Sequence, residues 1–432
     1  MSKEARKIQG EISLSAEREN EFEKIKHLSS LSTTIESNLE APLTKLLQTI
    51  FAGIVNLNAS DIHFEPQEEK VRLRARIDGV LQDVIDITPA LYKKILSRIK
   101  LLAGLKLNIS DRPQDGRFSI LFEGKGLEIE IRTSALPAEY GESVVMRVLN
   151  PESLKDLGEL GLRKDLLQTV LEQIKKPNGM VAVTGPTGCG KTTTLYAMCK
   201  KLSSPEIKII TIEDPIEYHI EGLSQTQVDP KKGYDFASGL RSIVRQDPDV
   251  ILVGEMRDKE TVDIALQASL TGHLVLTTLH TNDAAGVVTR LISLGGKTAN
   301  IGPAINMVAA QRLVRKVCPE CGTLRKPTAE EEKMMKKELS LLPGQVKKPE
   351  IEKIPEVKGC KACNNTGYKG RTGIFELFMV DDELEEMVHE KPSIAKLRRA
   401  AREKGMTNMK QDGVLKVLKG FTTLEEVERV TG

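Results

Sequence analysis

Hydrophobic positions follow two different patterns along the chain, and the change between them lies near residue 150. From Pro42 onwards, leucine and isoleucine recur at helical spacing and predict an amphipathic helix that ends near Asn58. Alternating apolar and polar residues at 71–79 and 127–136 predict strands, and the segment 91–105 between them has helical spacing. The pattern therefore predicts an α+β domain over residues 41–150.

Short apolar runs replace this alternation beyond Pro151. They occupy residues 180–184, 208–212, 249–254 and 273–279, and helical segments separate them. Continuous, mostly apolar runs of this kind fit strands buried on both faces of a parallel sheet. The pattern therefore predicts a second domain, of the α/β class, over residues 151–315.

The two ends of the chain and a segment near residue 340 are less regular. Residues 1–40 are charged and rich in Ser, which predicts a mobile N-terminal arm or one marginal helix. The stretch 326–358 is rich in Lys, Glu and Pro and is interpreted as a variable insertion. Residues 373–432 predict short helices, one with Leu397, Ala400 and Ala401 on one face and a last one capped by Thr423 and Glu426.

Composition excludes several classes of protein. The 432 residues are enough for two or three domains, and 63 Lys and Arg against 61 Asp and Glu leave a net charge of only +2. With aromatic residues at 3% and no Trp, neither an electrostatic nor a stacking surface for nucleic acid is expected. The N-terminus has no apolar segment typical of a signal peptide, and no apolar run approaches a membrane span. We expect a cytoplasmic protein with no nucleic-acid partner and no transmembrane segment.

The segment GPTGCGKT matches the GxxxxGK[ST] motif of phosphate-binding loops. A predicted strand precedes it and a predicted helix follows it, as the motif requires. Backbone N–H groups of the loop then cradle the phosphates, Lys191 contacts the β- and γ-phosphates, and Thr192 ligates Mg²⁺. The alternative is a glycine-rich turn that matches by chance. The candidate nucleotide-binding residues are Gly185, Pro186, Thr187, Gly188, Cys189, Gly190, Lys191, Thr192 and Thr193.

Acidic residues follow two of the predicted buried strands. Glu213 and Asp214 come after the run 208–212, and Glu255 comes after 249–254. A phosphate-binding loop needs such a residue at the end of a neighbouring strand, to hold the metal or to order the attacking water. Ordinary loop residues are the alternative. His273 and His280 flank the next run, and their spacing of seven residues does not place both on one face of a strand.

Four of the six cysteines form two CxxC pairs separated by 38 residues. Two such pairs can surround one tetrahedral Zn²⁺ with four thiolates, in a closed site that leaves no place for a catalytic water. The gap is longer than in the usual zinc ribbon, and free thiols or a redox pair are the alternatives. The candidate ligands are Cys318, Cys321, Cys360 and Cys363, in a predicted module over residues 316–372.

Several ordered motifs together resemble those of the secretion and pilus ATPases, the hexameric motors of type II secretion and type IV pilus assembly. The resemblance runs from about residue 42 to the C-terminus. Its motifs are SDIHFEP (60–66), RIDG (76–79), RPQDGRF (112–118), the phosphate-binding loop, TIEDPIE (211–217), LRSIVRQDPD (240–249), DVILVGEMRD (249–258) and TGHLVLTTLHTND (271–283).

The resemblance implies a RecA-like ATPase domain that hydrolyses ATP with Mg²⁺, preceded by the α+β domain and followed by the zinc module and helices. Glu213 is then the general base or water-positioning residue, and Asp214 and Glu255 serve the Mg²⁺ side. The two histidines of the last motif, His273 and His280, are expected to sense the γ-phosphate. Four arginines match those that the family directs at phosphates, some from an adjacent domain or subunit, with plain surface ion pairs as the alternative: Arg132, Arg147, Arg241 and Arg245.

The resemblance also implies a homohexamer whose partners are inner-membrane platform proteins. In the family, the four-cysteine element marks the assembly and secretion branch and is absent from retraction motors, which favours extension or secretion. Cys189 stands where the family usually has Ser and places a thiol near the nucleotide. Longer secretion members carry a further N-terminal domain that docks on the inner-membrane partner, whereas about 40 weakly patterned residues precede the matched region here.

Three other functions remain open from the sequence. One is a related motor for DNA uptake, conjugation or retraction, and another is a zinc-dependent nucleic-acid-binding protein in which ATP switches affinity. The third is a nucleotide-dependent scaffold without turnover. The charge balance and the few aromatic residues argue against the second of these.

Overall fold

The computed structural model describes residues 10–432, and these residues form two compact units. The first unit extends to Ser153 and includes the segments 318–321 and 358–369. The second unit consists of residues 154–317, 322–357 and 370–432. Within residues 10–432, none of the helices combines the length and the apolar character that crossing a membrane requires.

Between residues 10 and 153, the first unit is an α+β structure of four helices and seven strands. The helices are α1 (Ala16–Phe22), α2 (Leu28–Glu36), α3 (Leu43–Asn56) and α4 (Pro89–Leu102). The strands are β1 (Glu11–Leu14), β2 (Asp61–Pro66), β3 (Val71–Ile77), β4 (Val80–Ile87), β5 (Gln114–Phe122), β6 (Leu127–Ala138) and β7 (Gly141–Leu149). The strands form one sheet in the order β1-β5-β6-β7-β2-β3-β4.

One face of this sheet packs on the helices and the other is polar. Along β3, Val71, Leu73 and Ala75 are buried, whereas the arginines between them are half-buried. Such alternation is what a sheet with one apolar face requires. The ring of Phe51 on α3 lies 5.4 Å from that of Phe118 on β5, so the helix and the sheet share one core.

The prediction of a mobile arm over residues 1–40 is wrong for residues 10–40, and residues 1–9 lie outside the described part. Strand β1 pairs in parallel with β5, and Leu31 and Ile35 of α2 are fully buried in the core of the first unit. A strand of four residues is too short to show a period, and Ser-rich helices dilute the apolar pattern. Residues 10–40 are therefore part of the folded unit.

The second unit contains the remaining elements. The strands are β8 (Gly179–Thr184), β9 (Ile209–Glu213), β10 (Ser224–Gln227), β11 (Val250–Val253), β12 (Leu274–Leu279), β13 (Ile305–Val317), β14 (Gly322–Arg325), β15 (Ile354–Val357) and β16 (Tyr368–Met379), which begins within the first unit. The helices are α5 (Lys164–Gln173), α6 (Lys191–Leu202), α7 (Phe236–Val244), α8 (Lys259–Leu270), α9 (Ala285–Ser293), α10 (Thr298–Ala304), α11 (Ala329–Ser340), α12 (Asp382–His389), α13 (Ile394–Glu403), α14 (Met409–Leu418) and α15 (Leu424–Thr431).

A seven-stranded sheet in the order β10-β9-β11-β12-β8-β13-β16 forms the centre of the second unit. The pairs from β10 to β13 are parallel, as the apolar runs predict. Leu276 faces the side of α6, and Val275 faces the side of α7 and α8, so helices cover both faces. The chain leaves β8 for β9, three places away, and ligands bind at such a switch point, beyond the carboxyl ends of the strands.

The predicted module at 316–372 is divided between the two units. The two cysteine segments belong to the first unit, and the stretch between them belongs to the second. That stretch is also more regular than its composition indicates, because Met335 of α11 and Ile354 of β15 pack in a core with Val414 and Val427 of the C-terminal helices. Most of its few apolar residues serve this packing, although Leu341 is exposed, and the many polar residues around them make the segment look polar in sequence.

Candidate functional site

The phosphate-binding loop connects β8 to α6 at the carboxyl edge of the parallel sheet. Its glycines hold backbone conformations with positive φ, including 146° at Gly185 and 91° at Gly190, the residue before α6. A Cβ at Gly185 would lie 2.6 Å from the Cys189 sulfur and from the Gln311 carbonyl oxygen. Only glycine fits there, so the loop curls tightly before the helix N-terminus.

Lys191 is buried and its ammonium lies inside the loop. Its Nζ atom donates hydrogen bonds to the carbonyl oxygens of Gly185, at 2.8 Å, and of Pro186, at 3.1 Å. Burial lowers the pKa of Lys191, whereas the charge of Glu255 acts to raise it. An ammonium held in this way is directed at the space that the loop encloses, where phosphate oxygens bind.

Gln311 connects the phosphate-binding loop to α6 by hydrogen bonds, and no sequence motif indicates this residue. It lies on β13, is 2% exposed, and donates from Nε2 to the Cys189 carbonyl oxygen at 2.7 Å. Its Oε1 accepts from the Thr194 hydroxyl at 2.8 Å. One side chain therefore joins the loop to the first turn of α6. Nothing in the spacing of the sequence marks Gln311, because β13 follows the motifs.

A cluster of charged groups stands next to the loop, at the end of β11. The carboxylate of Glu255 lies 2.5 Å from the guanidinium of Arg257 and 3.7 Å from Nε2 of His280. Burial and the charge of Lys191 lower the pKa of His280, which favours the neutral imidazole. The hydrogen bond to Glu255 raises the pKa of Arg257, and the charge of Asp214 acts in the same direction. The structure thus brings together four predicted site residues and adds Arg257.

Glu213 ends β9 and lies in a separate, buried network. The carboxylate is 3% exposed and accepts hydrogen bonds from the Thr211 hydroxyl at 2.6 Å, from Gln225 Nε2 at 3.3 Å and from the Tyr196 hydroxyl. Burial raises the pKa of Glu213, although these donors act in the opposite direction. A raised pKa brings a carboxylate closer to the working pH of a general base.

Glu213 and Glu255 stand on neighbouring strands. Val253 of β11 lies opposite Ile212 of β9, and a Cβ on Gly254 would come within 3.3 Å of the Glu213 Cα atom. The two acidic residues therefore end adjacent strands at the same edge of the sheet, as the parallel arrangement requires.

The structure places His273 far from His280 within the chain, and the expected role of His273 at the γ-phosphate stays a prediction. Strand β12 lies between the two histidines, and its register places Leu279 opposite Thr184 and Leu274 opposite Gly179. At about 3.3 Å per residue, His273 lies about 23 Å from His280, at the opposite edge of the sheet. Its ring instead contacts the Ala268 carbonyl oxygen at 3.1 Å.

Arg132 and Arg147 lie in the first unit, directly opposite each other on β6 and β7. They belong to a row that crosses five strands on one face of the sheet. The row consists of Arg117, Arg132, Arg147, Asp61 and Arg76. The side chain of Arg147 is 55% exposed, although its Nε atom lies 3.2 Å from Asp61. The row holds four guanidinium groups, and the carboxylates of Asp61 and Glu130 pair with them.

Arg241 is exposed on α7, and Arg245 is exposed directly after the last residue of this helix. Arg241 pairs with Glu260 of α8, and Arg245 donates to the Ser242 hydroxyl at 3.4 Å. Helix α7 leads into β11, so its C-terminal end lies toward the edge where the parallel strands begin. Glu260, the partner of Arg241, lies in the first turn of α8, which follows β11, and the expected role of the two arginines at phosphates stays a prediction.

The thiol of Cys189 is buried in the phosphate-binding loop. Burial raises its pKa, although the charges of Lys191 and Arg312 act in the opposite direction. A raised pKa favours the protonated thiol, which is the less reactive form. The Cys189 thiol therefore stays mostly protonated and unreactive inside the loop.

The four cysteines of the CxxC pairs meet in the first unit, with their sulfur atoms all within 4.8 Å of one another. Three of the separations are 3.9, 3.8 and 3.7 Å. In a tetrahedral site with Zn–S bonds near 2.3 Å, sulfur atoms lie about 3.8 Å apart. Backbone N–H groups of Cys360 and Gly367 donate to the Cys363 sulfur, each at 3.2 Å. The donor set and its spacing fit one structural Zn²⁺ ion.

The cysteine cluster also contacts the N-terminal helices of the first unit. The Asn364 Oδ1 atom accepts a hydrogen bond from the backbone N–H of Leu28 at 2.8 Å. This N–H belongs to the first turn of α2, where helix donors lack an internal partner. Asn364, the residue directly after the second cysteine pair, therefore caps a helix far away in sequence.

A strand, a glycine-rich loop that holds a lysine, a helix and acidic residues at one sheet edge define the second unit as a P-loop ATPase. The model of the family described as "Type II/IV secretion system protein" matches residues 36–429. The chain belongs to this family of secretion ATPases.

The relatives and solved structures agree with this assignment. The type II secretion system ATPase E of Vibrio cholerae is 43% identical over 100% of this chain and 83% of its own length. The type II secretion system protein E of Pseudomonas aeruginosa is 44% identical over 92% of this chain and 77% of its own length. The pilus retraction motor PilT, solved with bound ADP, is similar with a TM-score of 0.58 and 27% identity over 88% of this chain and 95% of that chain.

The fold alone is shared with a more distant protein. The ATPase DotB of Yersinia pseudotuberculosis has a TM-score of 0.67 at 19% identity, over 90% of this chain and 93% of that chain. The resemblance inferred from the sequence motifs is thereby confirmed, and so is the RecA-like fold class.

Proposed function

We propose that the chain is the hexameric motor that couples ATP hydrolysis to pseudopilus assembly in type II secretion. The observation that carries this proposal is the meeting of Lys191, Glu255 and His280 at the phosphate-binding loop. The identity to type II secretion ATPases over nearly the whole chain supports secretion rather than pilus retraction. Inner-membrane platform proteins on the cytoplasmic face are the proposed partners.

We infer a role for each residue around the nucleotide from its position. Lys191 holds the β- and γ-phosphates, and neutral His280 senses the γ-phosphate through Glu255. Glu213 orders the attacking water and accepts its proton, for which its raised pKa is suitable. No covalent intermediate is required, because water attacks the γ-phosphate directly.

A divalent cation is part of the proposed site. The Thr192 hydroxyl, in the first turn of α6, and the carboxylates of Asp214 and Glu255 are the residues that would hold Mg²⁺. When bound, Mg²⁺ neutralises charge on the phosphate oxygens. Oxygen donors of this kind suit Mg²⁺, which is usually held by few protein groups and by the substrate phosphates.

The Glu213→Gln variant separates binding from hydrolysis. The amide keeps the shape of the side chain but cannot accept a proton, so we expect kcat to fall about 10²- to 10³-fold while ATP still binds. The measurements are steady-state phosphate release and titration with a fluorescent ATP analogue. Glu206→Gln, at an exposed position before β9, is the matched control and should retain wild-type turnover.

The Glu255→Gln variant distinguishes the two acidic residues. If Glu255 serves the Mg²⁺ side, raising the Mg²⁺ concentration should recover part of the lost activity, which it should not do for Glu213→Gln. Wild-type turnover by Glu213→Gln, together with loss of turnover in Glu255→Gln at every Mg²⁺ concentration, would assign the base to Glu255.

The zinc proposal predicts one Zn²⁺ per chain in protein purified without added metal. Elemental analysis measures it, and a content near zero with four titratable thiols would contradict the site. In Cys318→Ser we expect faster hydrogen exchange in α2, because the knuckle caps that helix through Asn364, and unchanged exchange in α6. Cys189→Ser, outside the cluster, is the control and should keep its zinc.

A further inference from the structure

The carboxylate of Glu213 is held by the helix that follows the phosphate-binding loop. One oxygen accepts from Thr211 and Gln225, which belong to β9 and to the neighbouring strand β10. The other oxygen, Oε2, accepts from the hydroxyl of Tyr196 on α6. Of these three donors, Tyr196 is the one that comes from outside the sheet, and it stands five residues after Lys191.

The hydroxyl of Tyr196 takes part in two hydrogen bonds at the end of β9. Tyr196 is 1% exposed. Its hydroxyl oxygen accepts a hydrogen bond from the backbone N–H of Glu217 at 3.2 Å, and the hydroxyl donates a hydrogen bond to the Glu213 carboxylate. Its ring meets that of Tyr218 edge to face, with the centroids 6.3 Å apart. The hydroxyl of a buried tyrosine needs a hydrogen-bond partner, and a backbone carbonyl oxygen would satisfy this need if the residue served packing alone. Here the partner is an ionisable side chain at the end of β9.

The ring packing fixes where the hydroxyl points. The Tyr196 side chain lies in the core between α6 and the sheet, together with Leu195, Cys199 and Ile209. Side chains in such a core occupy one conformation, because neighbouring groups fill the space around them. The hydroxyl therefore cannot follow Glu213 if the carboxylate turns away, and it favours a single orientation of that carboxylate.

We propose that Tyr196 is a positioning residue that holds the Glu213 carboxylate in the orientation needed to order the attacking water. The proposal rests on the proposed role of Glu213 as the base. Because α6 begins at Lys191, the same helix carries the group that binds the phosphates and the group that orients the acid. Loss of the hydroxyl leaves the carboxylate with two donors on one oxygen and none from α6 on the other.

Tyr196→Phe tests the proposal, because it removes the hydroxyl and keeps the ring. We expect kcat to fall about 10- to 100-fold, as expected for a misplaced catalytic group. The KM for ATP should stay within about twofold of the wild-type value, because the phosphate contacts are unchanged. The thermal unfolding midpoint should stay within a few degrees of the wild-type value. The matched control is Tyr234→Phe, which removes a hydroxyl that binds Thr226 in the same unit, and it should keep wild-type kcat.

A double-mutant cycle shows whether Tyr196 acts through Glu213. If it does, Tyr196→Phe combined with Glu213→Gln should be no slower than Glu213→Gln alone. If the kcat losses of the two single variants multiply in the double variant, the proposal is overturned. A fall in kcat accompanied by large changes in KM and in the thermal unfolding midpoint would also overturn it. Wild-type kcat in Tyr196→Phe with an inactive Glu213→Gln would overturn it while leaving the role of Glu213 intact. Wild-type kcat in Glu213→Gln would instead contradict the role of Glu213 itself.

Discussion

Replacing Lys191 with alanine is expected to reduce phosphate release by about 10³-fold or more. The lysine places its ammonium inside the phosphate-binding loop, where the Gly185 and Pro186 carbonyl oxygens hold it. Without that charge, the negative charge that gathers on the transferred phosphoryl oxygens loses its nearest counter-charge. Phosphate release at saturating Mg²⁺ and ATP is the measurement.

Lys200→Ala is the matched control for this variant. Lys200 is on the same helix and carries the same charge, but it is exposed and pairs with Asp156 at 2.7 Å, also on the surface. An exposed ion pair of this kind contributes little to stability, so the control should keep its activity. If Lys191→Ala retained a tenth of the wild-type rate, the loop would have been assigned the wrong role.

Replacing Arg132 with alanine should lower turnover by roughly 10³- to 10⁵-fold, the range known for arginine fingers in phosphoryl transfer. We expect this arginine and Arg147 to complete the nucleotide site of a neighbouring copy of the chain. Both stand in a row of guanidinium groups on the polar face of the first unit. Arg98→Ala, at an exposed position on α4 in the same unit, is the control and should have little effect.

Mixing two inactive variants tests whether this arginine acts between subunits. Arg132→Ala keeps a working loop, and Lys191→Ala keeps a working arginine, so some interfaces in a mixed ring join the two. The mixture should therefore recover phosphate release above either variant alone. A mixture of Arg132→Ala with the double variant has no such interface and serves as the control.

Mixed rings must be demonstrated before the result is interpreted. Native mass spectrometry shows whether the two variants exchange into one oligomer. Mixed oligomers without recovery would count against action between subunits, although a strictly sequential ring is also silenced by inactive members. A structure that places both arginines beside the nucleotide of their own chain would be the decisive contrary result.

Much of the fold could be predicted because its core elements carry strong periodic signals. Strands β8, β9, β11 and β12 are mostly apolar and buried at every position, and their predicted bounds lie within a residue or two of those observed. The short edge elements carried no such signal. Strand β1 has four residues, and its pairing partner β5 is more than 100 residues away, so no local pattern indicates the contact.

The sequence indicates the candidate site residues that belong to motifs, but it does not indicate those that long-range contacts bring to the site. Lys191, Glu213 and Glu255 follow from a loop and from strand ends, which are local features. Gln311 and Tyr196 were not recognised, because one lies on β13 and the other looks like an ordinary core position of α6. His273 and His280 are separated in the structure, because the motif that contains both spans the whole length of β12 and so reaches both edges of the sheet.

A crystal structure of the chain with Mg²⁺ and a non-hydrolysable ATP analogue would show where the nucleotide binds. We expect the β- and γ-phosphates in the loop from Gly185 to Thr192, within hydrogen-bond distance of Lys191 Nζ. We also expect Glu255 and His280 on the γ-phosphate side. A nucleotide bound elsewhere, with Lys191 still held by the Gly185 and Pro186 carbonyl oxygens, would contradict this expectation.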